Sequence, residues 1–396
     1  MINNLLNRNN NTAILIAGII SLIIGVGIAR FAFTSLLPFM LDDYLNVTHT
    51  GILAAFNFAG YLSGAIFAVF IKDINQKVFY FRIGMILCVL TTLSLGLTHN
   101  ETLWLILRVV AGFGTAMAMI VGSAIVMYKL DYKDKTKAMG IHFSGIGIAI
   151  FLTDIINKFV LYINSTWEIA WVVLSIFGLI ITLYSIHILS FDRVQKAEVK
   201  QFKFNTSIFS FYVIILTIVY FTEGVGFVVQ ATFLPDIINS IEGLEGYGGY
   251  TWTIVGISAI PSTIILMRLA HKYGSVNIII FAMLLQVVGI LIPVFTSNIY
   301  FNLFSGALYG GTFAGLVALF MNVAGRICPH NPVILMATFT TAYGVGQVSA
   351  PLYSVALFEY SGSYDMTLIL TGFIVFSGTL LLYFTKNNVA IKEYNL

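Results

Sequence analysis

Five ionisable side chains interrupt otherwise apolar runs of this sequence: Arg30, Arg108, Asp154, Lys158 and Glu223. Each needs a physical reason, because an arginine at the centre of a hydrocarbon layer costs about 2.5 to 17 kcal/mol depending on the scale, and is kept where a partner or a watery cavity receives it. Arg30 and Glu223 lie about 16 and 18 Å from the outer ends of their runs at 1.5 Å per residue, close to the middle of a bilayer. A guanidinium there can grip a carboxylate through two parallel hydrogen bonds. A carboxyl group stripped of water is suited to carrying a proton. If the two face each other they neutralise one another instead, and an amphipathic or aromatic solute then fits as well as an anion. Gln347, at similar depth, offers both a donor and an acceptor. Arg108 and Asn57 sit in the outer third of their runs, and His142, an imidazole that titrates near neutrality, sits near the inner face.

Plainer roles stand beside these. Asp154 and Lys158 are spaced i,i+4 on one helix face near its end, which reads as a local ion pair. Asn57 and Gln347 can act as interhelical glue, and His142 as a packing or loop contact. No Gly-rich Lys-Ser/Thr phosphate loop, His-Glu-x-x-His or Gly-x-Ser-x-Gly string is present, so neither an ATP-driven pump nor an enzyme is expected. No metal site and no cofactor are expected either. Cys88 falls inside the third apolar run and Cys328 in an inner loop, too far apart in topology to suggest a disulfide.

These residues must be positioned by membrane-spanning helices. Of the residues 59% are hydrophobic and only 9% charged, more apolar than a soluble core can hide. Twelve runs are long enough to cross about 30 Å of hydrocarbon. They are Ala13–Leu41, Thr50–Ile71, Phe79–Thr98, Thr102–Tyr128, Ala138–Tyr162, Thr166–Leu189, Ile208–Pro235, Tyr250–Leu269, Val276–Phe295, Tyr300–Val323, Val333–Leu357 and Met366–Phe384. Arg8 precedes an apolar run, as in a leader, but the run continues through Arg30 to Met40 without a cleavage site and is read as the first span. All the lysines and arginines except Arg30, Arg108 and Lys158 fall at segments on one side of this alternation, which places both termini in the cytoplasm. The net charge of +3 is therefore a topology signal and implies no nucleic-acid partner. The longest connection, Ser190 to Ser207, carries Arg193, Lys196, Lys200 and Lys203 and reads as a cytoplasmic linker. The expected division is a six-helix bundle over 1–189, a linker over 190–207 and a second six-helix bundle over 208–396.

The halves look duplicated. Gly25-Val-Gly27 precedes a string ending in Pro38, and Gly224-Val-Gly226 precedes one ending in Pro235. Gly112 and Gly114, in Ala111-Gly-Phe-Gly-Thr115, recur as Gly310 and Gly311 before Thr312, and all these matches are offset by about half of the 396 residues. Gly60 and Gly64 have the small-xxx-small spacing that lets helices approach closely. Gly145 and Pro351 join them as expected packing or gating positions.

The string Gly27-Ile-Ala-Arg30-Phe-Ala-Phe-Thr34-Ser-Leu-Leu-Pro38 resembles the signature of the YbfB/YjiJ-type branch of the major facilitator superfamily. Three further stretches are similar to that branch: Asn57-Phe-Ala-Gly60-Tyr61-Leu-Ser-Gly64, Gly140-Ile-His142-Phe-Ser-Gly145-Ile-Gly147, and Thr340-Thr-Ala-Tyr-Gly344-Val-Gly346-Gln347-Val-Ser-Ala-Pro351. Arg108-Val-Val-Ala-Gly112-Phe-Gly114 resembles the superfamily's helix-four pattern, whose arginine is linked to proton coupling. Helix five carries Gly145-Ile-Gly147 where drug/proton antiporters carry a Gly-Pro pair, which counts against drug export. The loop after helix two keeps little of the superfamily's inner-loop motif.

The resemblance implies an all-α fold of twelve helices in two pseudo-symmetric bundles, with helices one, four, seven and ten lining a midplane site and helices three, six, nine and twelve facing lipid. It implies a secondary transporter in a bacterial cytoplasmic membrane that moves a small organic solute by alternating access, coupled to H+, and works as a monomer in the lipid bilayer. Arg30, Glu223, Arg108, Gln347, Asn57 and His142 are the expected substrate-binding or coupling residues. The alternative is a transport-like membrane sensor or a passive channel without proton coupling.

Overall fold

The computed structural model describes residues 6–41, 43–71, 73–131, 135–163, 166–190, 210–328 and 332–386. Apart from Ser190, the expected linker and its four cations lie outside them. The described chain is helical almost throughout. α1 spans Asn11–Leu41, α2 Val47–Phe70, α3 Ile74–Leu95, α4 Glu101–Lys129, α5 Lys135–Tyr162 and α6 Trp167–Ile188. α7 spans Phe211–Asn239, α8 Gly248–Tyr273, α9 Ser275–Phe295, α10 Ile299–Ile327, α11 Pro332–Ser361 and α12 Asp365–Thr385.

Among the described residues, eleven helices are long and apolar enough to cross a membrane, and each falls on an expected span. The remaining expected span, Val333–Leu357, falls inside α11, which is 30 residues long but is not one of the eleven.

Local chemistry sets the helix ends. Asn10 caps α1 by accepting from the Thr12 and Ala13 amides, Asn100 accepts from Leu103 N ahead of α4, and Asn298 from Tyr300 N ahead of α10. At the other end of α6, Lys129 Nζ donates to the carbonyls of Ile188 (2.6 Å) and Ser190 (2.9 Å), and Arg82 Nη2 donates to Ser190 Oγ at 2.7 Å. Two cations counted above only for topology thus also close a helix C-terminus, where orphan carbonyls favour positive charge.

Contacts divide the chain into two compact units: Met1–Leu45 with Phe56–Gln201, and Asn46–Ala55 with Phe202–Leu396. In the first, one set of helix turns is fastened by aromatic side chains: Trp167 Nε1 donates to Asp43 Oδ2 (2.9 Å), Tyr44 Oη to His99 O (2.6 Å) and Trp104 Nε1 to Thr98 O (2.7 Å). In the second, Gly51 packs on the Pro351 carbonyl and Gly248 on that of Pro235, so two of the expected prolines sit where another helix comes close. Large apolar side chains remain exposed along the outer faces, among them Phe159, Leu183, Phe373 and Phe384, as on helices that meet lipid.

Candidate functional site

In the first unit the site is built on a distorted helix. From Ile23 to Phe31, α1 widens into a π-helix of nine residues, closed where the Ala32 amide bonds to the Gly27 carbonyl five residues back. α4 carries a second, shorter π segment, Met117–Val121, closed in the same way by Gly122 on Met117. Runs of i→i+5 bonding are rare and cluster at functional sites, because they turn carbonyls away from the regular ladder and offer them to side chains. Thr115 Oγ1 donates to the Gly25 carbonyl at 2.8 Å, and Arg108 Nη1 to the Ala29 carbonyl at 3.3 Å. The glycines permit this closeness: a Cβ on Gly25 would meet Ala118 Cβ at 2.9 Å, and one on Gly27 would meet the Ala149 carbonyl of α5 at 2.8 Å.

Arg30 projects from the widened segment and is buried, at 6% exposure. Its guanidinium lies 4.2 Å from the ring centre of Tyr61 and 4.9 Å from that of Phe58. Such cation–π contacts contribute from about 0.5 to 2 kcal/mol each, most where water is excluded. Both rings come from α2, which is held against α4 by backbone contact: Gly60 packs on the Val109 carbonyl and Gly112 on the Asn57 carbonyl. Asn57 adds a hydrogen bond from Nδ2 to the Arg108 carbonyl at 3.0 Å. Gly64 and Gly114 extend these contacts, against Ala116 and Cys88. Arg108 stacks over Phe33 at 4.4 Å, one turn from Arg30 along α1. The structure thus gathers Arg30, Arg108, Asn57, Gly25, Gly27, Gly60 and Gly112 in one place.

His142 stands apart from that group. Its Nε2 pairs with Ser123 Oγ at 2.8 Å and its ring fills the space left by Gly18, a contact between α1, α4 and α5. Gly145 likewise meets Leu22 and Ile19 of α1. Asp154 accepts from Lys158 at 2.6 Å, the local i,i+4 pair, and also from Ser35 Oγ at 2.8 Å.

In the second unit Glu223 is fully buried on α7, whose helix stays regular. It is turned toward α9, where Gln286 Nε2 donates to its Oε1 at 3.5 Å. Around it Gly226 admits Val375, and Gly378 admits Thr222. The neighbouring Gly224 faces the other way and packs on the Tyr343 backbone of α11, while Phe227 lies 5.7 Å from the Tyr343 ring. Gln347 is buried on α11, two helical turns beyond Phe339, which stands near Tyr220.

The sequence matches, over residues 22–382, the family described as "Uncharacterised MFS-type transporter YbfB". The chain belongs to that family. Among solved structures it is similar to a crystal structure of a mutant of the nucleoside transporter NupG, with a TM-score of 0.74 and 13% sequence identity over 95% of this chain and 99% of that one. That likeness shows the fold, the major facilitator fold. No curated protein sequence matches. The protein is therefore a multi-pass membrane transporter.

Within this YbfB-type transporter, several site residues escaped the sequence reading. Phe58 is one more aromatic in a chain with 33 phenylalanines. Gln286 carried a usable signal, as the lone long amide in the apolar run Ile278–Phe295, but α9 belongs to the helices expected to face lipid. Gln230 and Ser305, both directed to the Gly289 carbonyl, and Asn157, buried on α5 with no hydrogen-bond partner for its amide among the described residues, were missed although α7, α10 and α5 are not among the helices expected to face lipid.

Proposed function

We propose that this chain is a secondary transporter that carries a small organic solute across the cytoplasmic membrane by alternating access, driven by protons, as a monomer of two six-helix halves with both termini inside. The observation that carries the reading is Arg30: a guanidinium buried on a π-helical segment of α1, with two aromatic faces of α2 beside it. A planar cation held between rings keeps its fork oriented, which suits a solute bearing a carboxylate or similar anionic group. Arg108 serves as a positioning residue, through its bond to the Ala29 carbonyl next to Arg30. Glu223 is the proton carrier. The family membership and the NupG-like fold support transport itself; the residue roles rest on the geometry.

Purified protein in proteoliposomes tests this. Thermal-shift screening against organic acids identifies a solute, and its uptake is expected to saturate and to respond to an imposed pH gradient. Unsaturable flux would instead mean a passive channel. For orientation, single cysteines at Glu101 and Gly243 are expected to label from outside intact cells and one at Asn75 only after permeabilisation; labelling of Asn75 in intact cells overturns the assignment.

A further inference from the structure

Glu223 and Gln286 are both fully buried in the second unit, α7 against α9. One hydrogen bond joins them, Gln286 Nε2 to Glu223 Oε1. Two atoms of the same pair, Glu223 Oε2 and Gln286 Oε1, have no hydrogen-bond partner among the described residues. Both are acceptors if the acid is ionised, so they can do nothing for each other. A neutral carboxyl group has one O–H donor, and an amide carbonyl is its natural acceptor. A single proton on Oε2 therefore satisfies both orphaned atoms at once and turns one bond into a two-bond ring of acid and amide. Without it, two buried acceptors stay unmet, each at the full cost of its desolvation, and the cost is greater for a charge.

The surroundings leave the pair to itself. α7 packs against α8, α9, α10, α11 and α12. In the described parts of α7 and these helices every carboxylate, lysine, arginine and histidine other than Glu223 lies within about two turns of a helix end: Asp236, Arg268, His271, Lys272, Arg326, Glu359 and Asp365. Their mid-helix ionisable groups are phenols, those of Tyr309, Tyr343 and Tyr353, with Tyr220 on α7 itself. Of these, Tyr220 stacks on Phe320 and Tyr343, Tyr309 on Phe313, and Tyr353 pairs with Thr371. Gly226, one turn from Glu223, lies beside the amide: a Cβ there would stand 3.6 Å from Gln286 Oε1, an ordinary contact.

We propose that Glu223 and Gln286 form a proton-binding site in the core of the second unit, with Gln286 as the positioning residue that holds the neutral acid. The step is a protonation: an O–H bond of hydronium breaks as its proton adds to Oε2, releasing water, and return of the proton to water reopens the ring. The proposal deepens the proton-carrier reading of Glu223 and rests on it for what the proton drives, but not for where the proton sits.

Infrared spectroscopy of the full chain in lipid nanodiscs separates the two. At neutral pH the wild type is expected to show the carbonyl stretch of a hydrogen-bonded neutral carboxyl group, lost in Glu223→Gln and moved to the position of an unbonded acid in Gln286→Met. The exchange Glu223→Gln/Gln286→Glu keeps one acid and one amide in the ring and is expected to keep the band, which serves if the single variants do not fold. Absence of a neutral-carboxyl band in the wild type, or a band unmoved by Gln286→Met, overturns the site. Uphill transport by the same variants reports on coupling: normal pH-driven accumulation in a Glu223→Gln protein that has lost the band would leave the site standing and remove its part in transport.

Discussion

Each unit buries an ionisable residue in mid-helix, and the two do so by opposite means. Around Arg30 the backbone itself is deformed: α1 widens over Ile23–Phe31, its carbonyls accept from Thr115 and Arg108, and rings from α2 flank the guanidinium. Around Glu223, α7 stays regular and the acid meets one amide. An arginine cannot give up its charge inside a protein, so the fold must supply acceptors and aromatic faces. A carboxyl group can take a proton, and then needs only one donor and one acceptor. The difference separates a fixed charge, fit to grip a solute, from a group fit to change charge.

Both units depend most heavily on the glycines that let the helices touch. A Cβ on Gly112 lands on the Asn57 carbonyl and one on Gly224 on the Tyr343 carbonyl, both backbone atoms that cannot swing aside. Gly112→Leu and Gly224→Leu are each expected to cost about 3 kcal/mol or more, seen as loss of monodisperse protein in detergent. Next come the side chains that serve the deformed segment. Arg108→Met deprives the Ala29 carbonyl of a buried donor, at a cost of about 1–3 kcal/mol, whereas Glu223→Gln, which under the proposed protonation replaces a neutral acid with an amide of the same shape, is expected to change stability by less than about 1 kcal/mol. Thermal unfolding in detergent orders the two, and equal losses would erase the contrast between the units. Smaller still, Thr115→Val removes the donor to Gly25 and is expected to cost about 1 kcal/mol with solute affinity little changed.

Much of this was legible in the sequence because the membrane imposes strong rules. Arg30 and Glu223 stood out by their cost in hydrocarbon, the spans by length and polarity, and Asp154 with Lys158 by i,i+4 spacing. The paired glycine strings marked where backbones meet. What stayed hidden depends on rotation about each helix axis. Glu223 and Gly224 are neighbours in sequence yet face α9 and α11 respectively, and no apolar run records which way a helix is turned. The π-helix was hidden too: Gly25 and Gly27 announce a weak point in α1, but its widening depends on acceptor-seeking groups at Thr115 and Arg108, far off along the chain. Lys129 read as a topology charge, since its second role at Ser190 requires α6 to end beside it.

The division of labour between the two charges is tested most directly by one assay on three proteins: counterflow exchange and pH-driven accumulation of the identified solute in proteoliposomes of wild type, Arg30→Lys and Glu223→Gln. Lysine keeps the charge but loses the planar fork, so Arg30→Lys is expected to lose at least tenfold in both activities. Glu223→Gln is expected to keep counterflow within about twofold of wild type and to lose accumulation, because exchange needs the grip on solute but no net movement of protons. Undiminished accumulation by Glu223→Gln, or undiminished counterflow by Arg30→Lys, would contradict the account.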